Sequence, residues 1–204
     1  MKKYELTAEF IEKWGKKLFR IKALISFGSV EAGELGGYVE KEDNLAQTGN
    51  AWVSGNARVY GNARVYGDAE VYGDARVYGD ARVCGDARVC GDARVYGDAR
   101  VCGDARVCGD AWVSGDARVC GDARVCGDAW VSGDADYLLI GRIGSRFSFT
   151  TFFKNKDKGI TVSCGCFLGT IAEFRAKVTD THGNNKHAKM YNLAADMAEL
   201  QILG

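Results

Sequence analysis

Two short spacings in this 204-residue chain hold residues that bind metals: Cys164-x-Cys166, and His182 followed by His187. Two thiolates and two imidazoles form a zinc-type donor set, although one residue between the cysteines is tighter than the usual gap of two. Zinc on Cys164, Cys166, His182 and His187 is therefore the one cofactor expectation. The competing reading is two half-buried strand cysteines and two surface histidines. The other six cysteines, Cys84, Cys90, Cys102, Cys108, Cys120 and Cys126, recur at fixed intervals. They invite three readings: disulfides, a soft-metal site, or small residues tolerated at a strand position.

Which of these groups meet depends on the element that carries them. From Ala51 the text reads AWVSGN, ARVYGN, ARVYGD and onward to AWVSGD, ending at Asp134, which makes fourteen six-residue units. Each unit is a short strand, Ala-x-Val-x, followed by a Gly-Asp or Gly-Asn corner. Strand alternation turns Ala and Val to one face and the variable residues to the other. Glycine and Asx suit the corner, because Gly reaches positive φ freely and Asx side chains bond nearby backbone. A helix would place a glycine in its interior every six residues, at about 1 kcal/mol each. The variable positions set the coil: Trp112 and Trp130 are 18 residues apart, and so are successive cysteine pairs. Eighteen is three sixes, so the expectation is a three-sided solenoid with one strand per side, roughly 22 Å long at about 4.8 Å per layer.

The coil sorts the outward residues into three columns. One runs Tyr60, Tyr78, Tyr96, Ser114, Ser132. A second runs Ser54, Tyr72, Cys90, Cys108, Cys126, and a third runs Tyr66, Cys84, Cys102, Cys120. Column neighbours are within the Cα range of a disulfide. The absence of a signal-like apolar run at the N-terminus points to the cytoplasm, where the thiols are expected to be reduced. Ten Arg face twelve Asp and Glu70 over residues 51–134, and these are expected to form a solvated, salt-bridged surface. Two stacked tryptophans near the coil's end suggest contact with something, either the chain's own C-terminal domain or a partner. Trp112, Trp130, Tyr60, Tyr78 and Tyr96 are thus the partner-binding candidates.

The order Val-x-Gly-Asp-Ala-x resembles the hexapeptide motif of left-handed β-helix proteins, and the expected left hand comes from that resemblance alone. The segment LFRIKALISFGSVEAGELGGYVEKEDNLAQTGNAWV is similar to the N-terminal cap of a transferase-like group of bacterial and phage hexapeptide-repeat proteins. The resemblance spans roughly residues 16 to 136. It implies fold and says little of chemistry, since fold does not fix function. Acyltransferases of this kind use a histidine general base at the coil surface, often beside an extended loop. Here the coil carries neither a histidine nor a loop insertion, and His182 and His187 lie beyond it.

The flanks complete a three-part division: an N-terminal cap (1–50), the β-helix (51–136) and a small α+β domain (137–204). In the cap, KYEL reads as a strand, AEFIEKWGKKL as a short amphipathic helix and LFRIKALI as a strand covering the first coil. In the last part YLLIG, SFTTFFKN and ITVSCGCF read as strands, with a hairpin turn over residues 155–159. Thr170-x-x-Glu173 is a capping box opening a first helix with Ile171, Phe174 and Val178 inward. A second helix is expected to turn Tyr191, Ala194, Met197 and Leu200 inward. This part resembles a small domain appended to other phage-type proteins, and it is placed to plug the open coil end. Charge is balanced, with 27 basic and 27 acidic residues, which argues against a nucleic-acid binder. No apolar stretch approaches the roughly 20 residues of a membrane helix.

The resulting expectation is a mainly β cytoplasmic protein with no membrane contact, serving as a non-enzymatic structural or protein-interaction scaffold, phage or mobile-element encoded. The partner would be a protein, or a second copy in a homo-oligomer. The alternatives are an acyltransferase using an acyl-CoA-type donor and a thiol-based metal-binding protein.

Overall fold

Each Ala-x-Val-x unit becomes a strand of two residues whose valine is buried. Ala, turned to the same side, joins Val in one continuous core column, with Val83 and Ala81 among the residues that solvent does not reach. The computed structural model describes residues 2–204. Its elements open with β1 (Tyr4–Lys13), β2 (Lys16–Ala23) and β3 (Leu35–Val39). Fourteen two-residue strands follow, β4 to β17, one per repeat from Trp52–Val53 to Trp130–Val131. They stack into three parallel walls. Arg94 pairs with Arg76 below and Trp112 above, an offset of one eighteen-residue turn each way. The first wall, eight strands in the order β1-β2-β3-β5-β8-β11-β14-β17, contains Trp112 paired with Trp130. The second and third walls have five and four strands. Corner glycines hold positive φ from Gly55 to Gly127, for instance +70° at Gly91.

Coil geometry begins before the repeat is legible: Val39 pairs with Val59 and Leu45 bridges Val65. At the N-terminal end the expected helix is absent. Residues 8–18 belong instead to the antiparallel hairpin β1–β2, which turns at Trp14-Gly15 with φ of 52° and 72°. Two successive positive φ values make a primed turn, whose twist matches that of paired strands. The hairpin extends the first wall and brings Trp14 over the coil.

Stacking gives the solenoid a polarity. Each coil donates its N–H groups to carbonyls of the following coil, as Arg76 N does to Ala93 O at 2.9 Å. The first coil's carbonyls therefore need donors from outside. Lys3 Nζ donates to Ala51 O at 2.8 Å and Asn44 Nδ2 to Ala63 O at 2.8 Å, while the Tyr38 and Glu40 backbone serves Ala57 and Val59. The last coil needs acceptors, and Asp134 Oδ1, Thr151 Oγ1 and Asp136 Oδ2 take the N–H groups of Arg118, Arg124 and Ser132.

Burial of Lys3 lowers its pKa from 10.5 to about 8, against an opposing pull from Asp68. Below about 8 the amine is charged folded and unfolded alike. Between about 8 and 10.5 the unfolded chain binds more protons than the folded one, so this residue's contribution to stability rises with pH across that window. Denaturation midpoints of the wild type minus those of Lys3→Met, measured across the same window, should rise. A flat difference would contradict the burial argument.

The C-terminal part is an antiparallel sheet, β18 (Tyr137–Ile143), β19 (Ser148–Lys154), β20 (Ile160–Cys164) and β21 (Phe167–Thr170), packed with α1 (Ile171–His182) and α2 (Lys186–Leu203). ITVSCGCF is a hairpin rather than one strand, with Gly165 at φ +61° in its turn. The capping box forms: Glu173 N donates to Thr170 Oγ1, and Thr170 N donates to Glu173 Oε2. Phe153 of β19 is fully buried in the coil's own core, closing its end. Among the described residues no helix is long and apolar enough to cross a membrane.

Candidate functional site

The first wall carries the side chains with the most to offer a partner. Trp14, Tyr60, Tyr78, Tyr96, Trp112 and Trp130 follow one another in an unbroken ladder. Tyr60 and Tyr78 stack at 5.0 Å with planes 1° apart, and Tyr78 and Tyr96 at 5.0 Å and 4°. Trp14 stacks on Tyr60 at 5.2 Å, a contact hidden from a sequence reading that placed Trp14 on a helix. After Tyr96 the repeat exchanges Arg and Tyr for Trp and Ser, and the ladder crosses to the neighbouring column: Tyr96 meets Trp112 edge-on at 6.5 Å, and Trp112 meets Trp130 at 5.9 Å. Ser114 is buried at this crossing. Arg76 lies over Trp14 and Arg94 over Trp112, at 5.4 and 4.6 Å from the ring centres. Burial, then the neighbouring Tyr78, pushes Tyr60 up to about 12, so its phenol stays neutral.

This geometry limits what the ladder can do. The tyrosine faces are used on one another, and the wall presents ring edges, hydroxyls and guanidiniums. The exposed apolar area lies at the two ends, on Trp14 and Trp130. Salt bridging of the coil is also less than expected. Arg88 with Glu70 at 3.5 Å is the one coil arginine within ion-pair reach of a carboxylate among the described residues. In-register stacking sets Arg beside Arg along the strands and leaves Asp at the corners.

A larger apolar surface lies where the sequence pointed inward. On α2, Tyr191 and Ala194 are buried as expected, but Met197 and Leu200 are 56 and 77 % exposed. The inner face is instead Ala188, Tyr191, Ala194, Ala195, Ala198 and Ile202. Alanines let the helix lie close on the sheet, and the large side chains point away. Met190, Leu193, Met197 and Leu200, spaced 3-4-3, form an outward stripe with Leu193 63 % exposed. Its acidic neighbours are occupied: Arg175 holds Asp196 at 2.7 Å and Glu199 at 2.8 Å.

Two columns carry the cysteines, and four of them are not reduced thiols. Cys102 is bonded to Cys120 and Cys108 to Cys126, with Cα separations of 4.7 and 4.6 Å. Compartment reasoning favoured thiols, but in-register stacking holds the pairs at bonding distance regardless. Cys84, Cys90, Cys164 and Cys166 are free.

Of the four zinc candidates, Cys164 and His182 line a cleft of about 230 Å³ together with Arg146, Phe174 and Tyr191. Thr150 Oγ1 donates to Cys164 Sγ at 3.2 Å. The His182 ring lies 5.8 Å from those of Tyr191 and His187, and Cys166 is exposed in the β20–β21 turn. Among the described residues, no three His, Cys, Asp or Glu side chains gather as a metal-binding group.

No curated protein matches the chain as a relative. Six stretches of the coil, residues 51–67, 57–73, 69–85, 87–103, 99–115 and 117–133, match the family model described as YdcK Beta solenoid repeat.

Proposed function

We propose that the protein is a non-catalytic interaction scaffold, in which the solenoid is a rigid rod and α2 presents the docking face. The observation that carries this reading is the outward stripe of Met190, Leu193, Met197 and Leu200. Spacing of 3-4-3 is what packing of one helix along another requires. The occupant is a second copy of the chain, α2 against α2. The stripe is then self-complementary about a two-fold axis. With Asp196 and Glu199 already paired to Arg175, little like-charge repulsion opposes that approach. The helix is folded before it docks, so association does not have to order it. Trp14 and Trp130 at the ladder's ends, with Trp112, Tyr60, Tyr78 and Tyr96 between them, are a second surface for a protein partner.

Light scattering across a concentration series tests the reading. The wild type should form a dimer. Leu193→Glu/Leu200→Glu should be monomeric, and at concentrations where the wild type is also monomeric its stability should differ by no more than about 0.5 kcal/mol per substitution, because both side chains are exposed in the single chain. A wild type that stays monomeric at all concentrations would remove the second copy as occupant.

A further inference from the structure

Each cysteine column holds three cysteines but only one disulfide, so each contains a thiol stacked directly against a bond. Cys84 is one coil before Cys102 in the third wall, and Cys90 is one coil before Cys108 in the second. Backbone register is the same along each column. Cys84 N donates to Val101 O at 2.9 Å, and Cys102 N donates to Val119 O at 2.9 Å. The free cysteine is therefore as far from the middle one as the bonded cysteine is, about 4.8 Å by strand spacing, within bonding reach. The first and third cysteines of a column are two coils apart, about 9.6 Å, and cannot pair.

We propose that the two columns are thiol–disulfide relays, in which the bond moves between two registers by internal exchange. The Cys84 thiolate attacks Cys102 Sγ. A Cys84–Cys102 bond forms, the Cys102–Cys120 bond breaks, and its electron pair leaves on Cys120. Solvent takes the proton lost by Cys84 and returns one to Cys120. One disulfide and one thiol are present before and after, so the step needs no oxidant or reductant. Cys90, Cys108 and Cys126 repeat the same chemistry on the second wall.

Polar side chains flank each attacking sulfur. Arg82 and Arg100 run beside Cys84 on its wall, and Arg88 and Arg106 run beside Cys90. A tyrosine lies one coil before each free thiol, Tyr66 before Cys84 and Tyr72 before Cys90, and the adjacent thiol holds each phenol above its ordinary value and protonated.

The register has a mechanical consequence. Bonds at Cys102–Cys120 and Cys108–Cys126 staple the last coil, whose corners Gly121 and Gly127 lie against Leu139 and Leu168 of the C-terminal sheet. Bonds moved one coil back release it. Either end of a column can then present the thiol, and the middle cysteine never does.

Fragmentation of the intact protein locates the free thiols; tryptic mapping cannot tell Cys84, Cys90, Cys102 and Cys120 apart, because each lies in the same peptide VCGDAR. Air-equilibrated protein is alkylated with N-ethylmaleimide, quenched in acid and fragmented whole without reduction. Label divided between Cys84 and Cys120, and between Cys90 and Cys126, is the expected result. Cys164 and Cys166 are free and take label in every case; within the columns, label on Cys84 and Cys90 alone, or on all six cysteines, overturns the proposal. Two variants test the reach independently, with far-UV circular dichroism confirming the fold. Cys120→Ser should keep two disulfides by using Cys84–Cys102, and Cys102→Ser should keep one. A single disulfide in Cys120→Ser would mean that Cys84 cannot reach its neighbour.

Discussion

Gly91→Ala should lower the thermal midpoint by roughly 10 °C, at about 2–4 °C per kcal/mol for a chain of this size. Two effects add. Gly91 sits at φ +70°, a region where a residue with a Cβ carries about 1–3 kcal/mol of strain. That Cβ would also lie 3.0 Å from Gly109 N and 3.1 Å from Gly109 O in the next coil. The obstacle is backbone and not the end of a flexible side chain, and Gly91 is itself held in the coil ladder, where its O accepts from Asp74 N at 3.0 Å, so neither can step aside cheaply. The loss should reach about 3 kcal/mol, near the top of the range for single substitutions. Gly15→Ala separates the two effects. Gly15 also has positive φ, +72°, but a Cβ there meets nothing within 4 Å. It should lose only about 1 kcal/mol of backbone strain. Equal losses at the two sites, in parallel thermal melts, would show that close approach between coils does not matter.

The same corner explains why so much of the coil was legible. A six-residue period with glycine at one fixed place admits little besides a solenoid. The eighteen-residue recurrence of Trp112 and Trp130 identified the three walls, because strands of one wall stack residue on residue. What escaped reading lay where two physical rules gave different answers. Phe10, Ile11, Trp14 and Leu18 are spaced as on a helix face, yet Trp14-Gly15 is a hairpin turn, and pairing along the first wall favoured the hairpin. On α2 a stripe of large apolar residues and a stripe of alanines both run the length of the helix. The i, i+3 spacing of Tyr191, Ala194, Met197 and Leu200 suggested one inward face that mixed the two stripes, whereas close packing on the sheet selected the alanines. The cysteines show the limit of compartment arguments, since chain register rather than redox setting brings Cys102 to Cys120. Of the candidate surfaces, the aromatic column was visible from residue 60 onward. The apolar face of α2 was not, because sequence alone does not say which of two stripes is covered.

Asn44 gives the clearest measure of how the solenoid's polarity is contained. A stacked coil ends in bare carbonyls on one side and bare N–H groups on the other, so the N-terminal cap must supply donors and the C-terminal one acceptors. At the second end Ser132 and Lys154 hold Asp136 ionised: burial pushes its pKa up, but their hydrogen bonds outweigh that and keep it below the ordinary carboxylate value. At the first end Asn44 is fully buried and uses its whole amide. Nδ2 donates to Gly61 O at 3.1 Å and Ala63 O at 2.8 Å, and Oδ1 accepts from Lys41 N at 3.0 Å. Asn44→Ala leaves two buried carbonyls without a donor, at about 1–3 kcal/mol each. Asn44→Asp keeps the shape and reverses the sign, so that a carboxylate oxygen faces both carbonyls; its loss should exceed that of Asn44→Ala. Both losses should appear first as faster hydrogen exchange in the opening coil, because each layer of a solenoid is supported only by its neighbours. If Asn44→Asp proved as stable as the wild type, the Gly61 and Ala63 carbonyls would have to find their donors elsewhere, and Asn44 would not hold the cap on the coil.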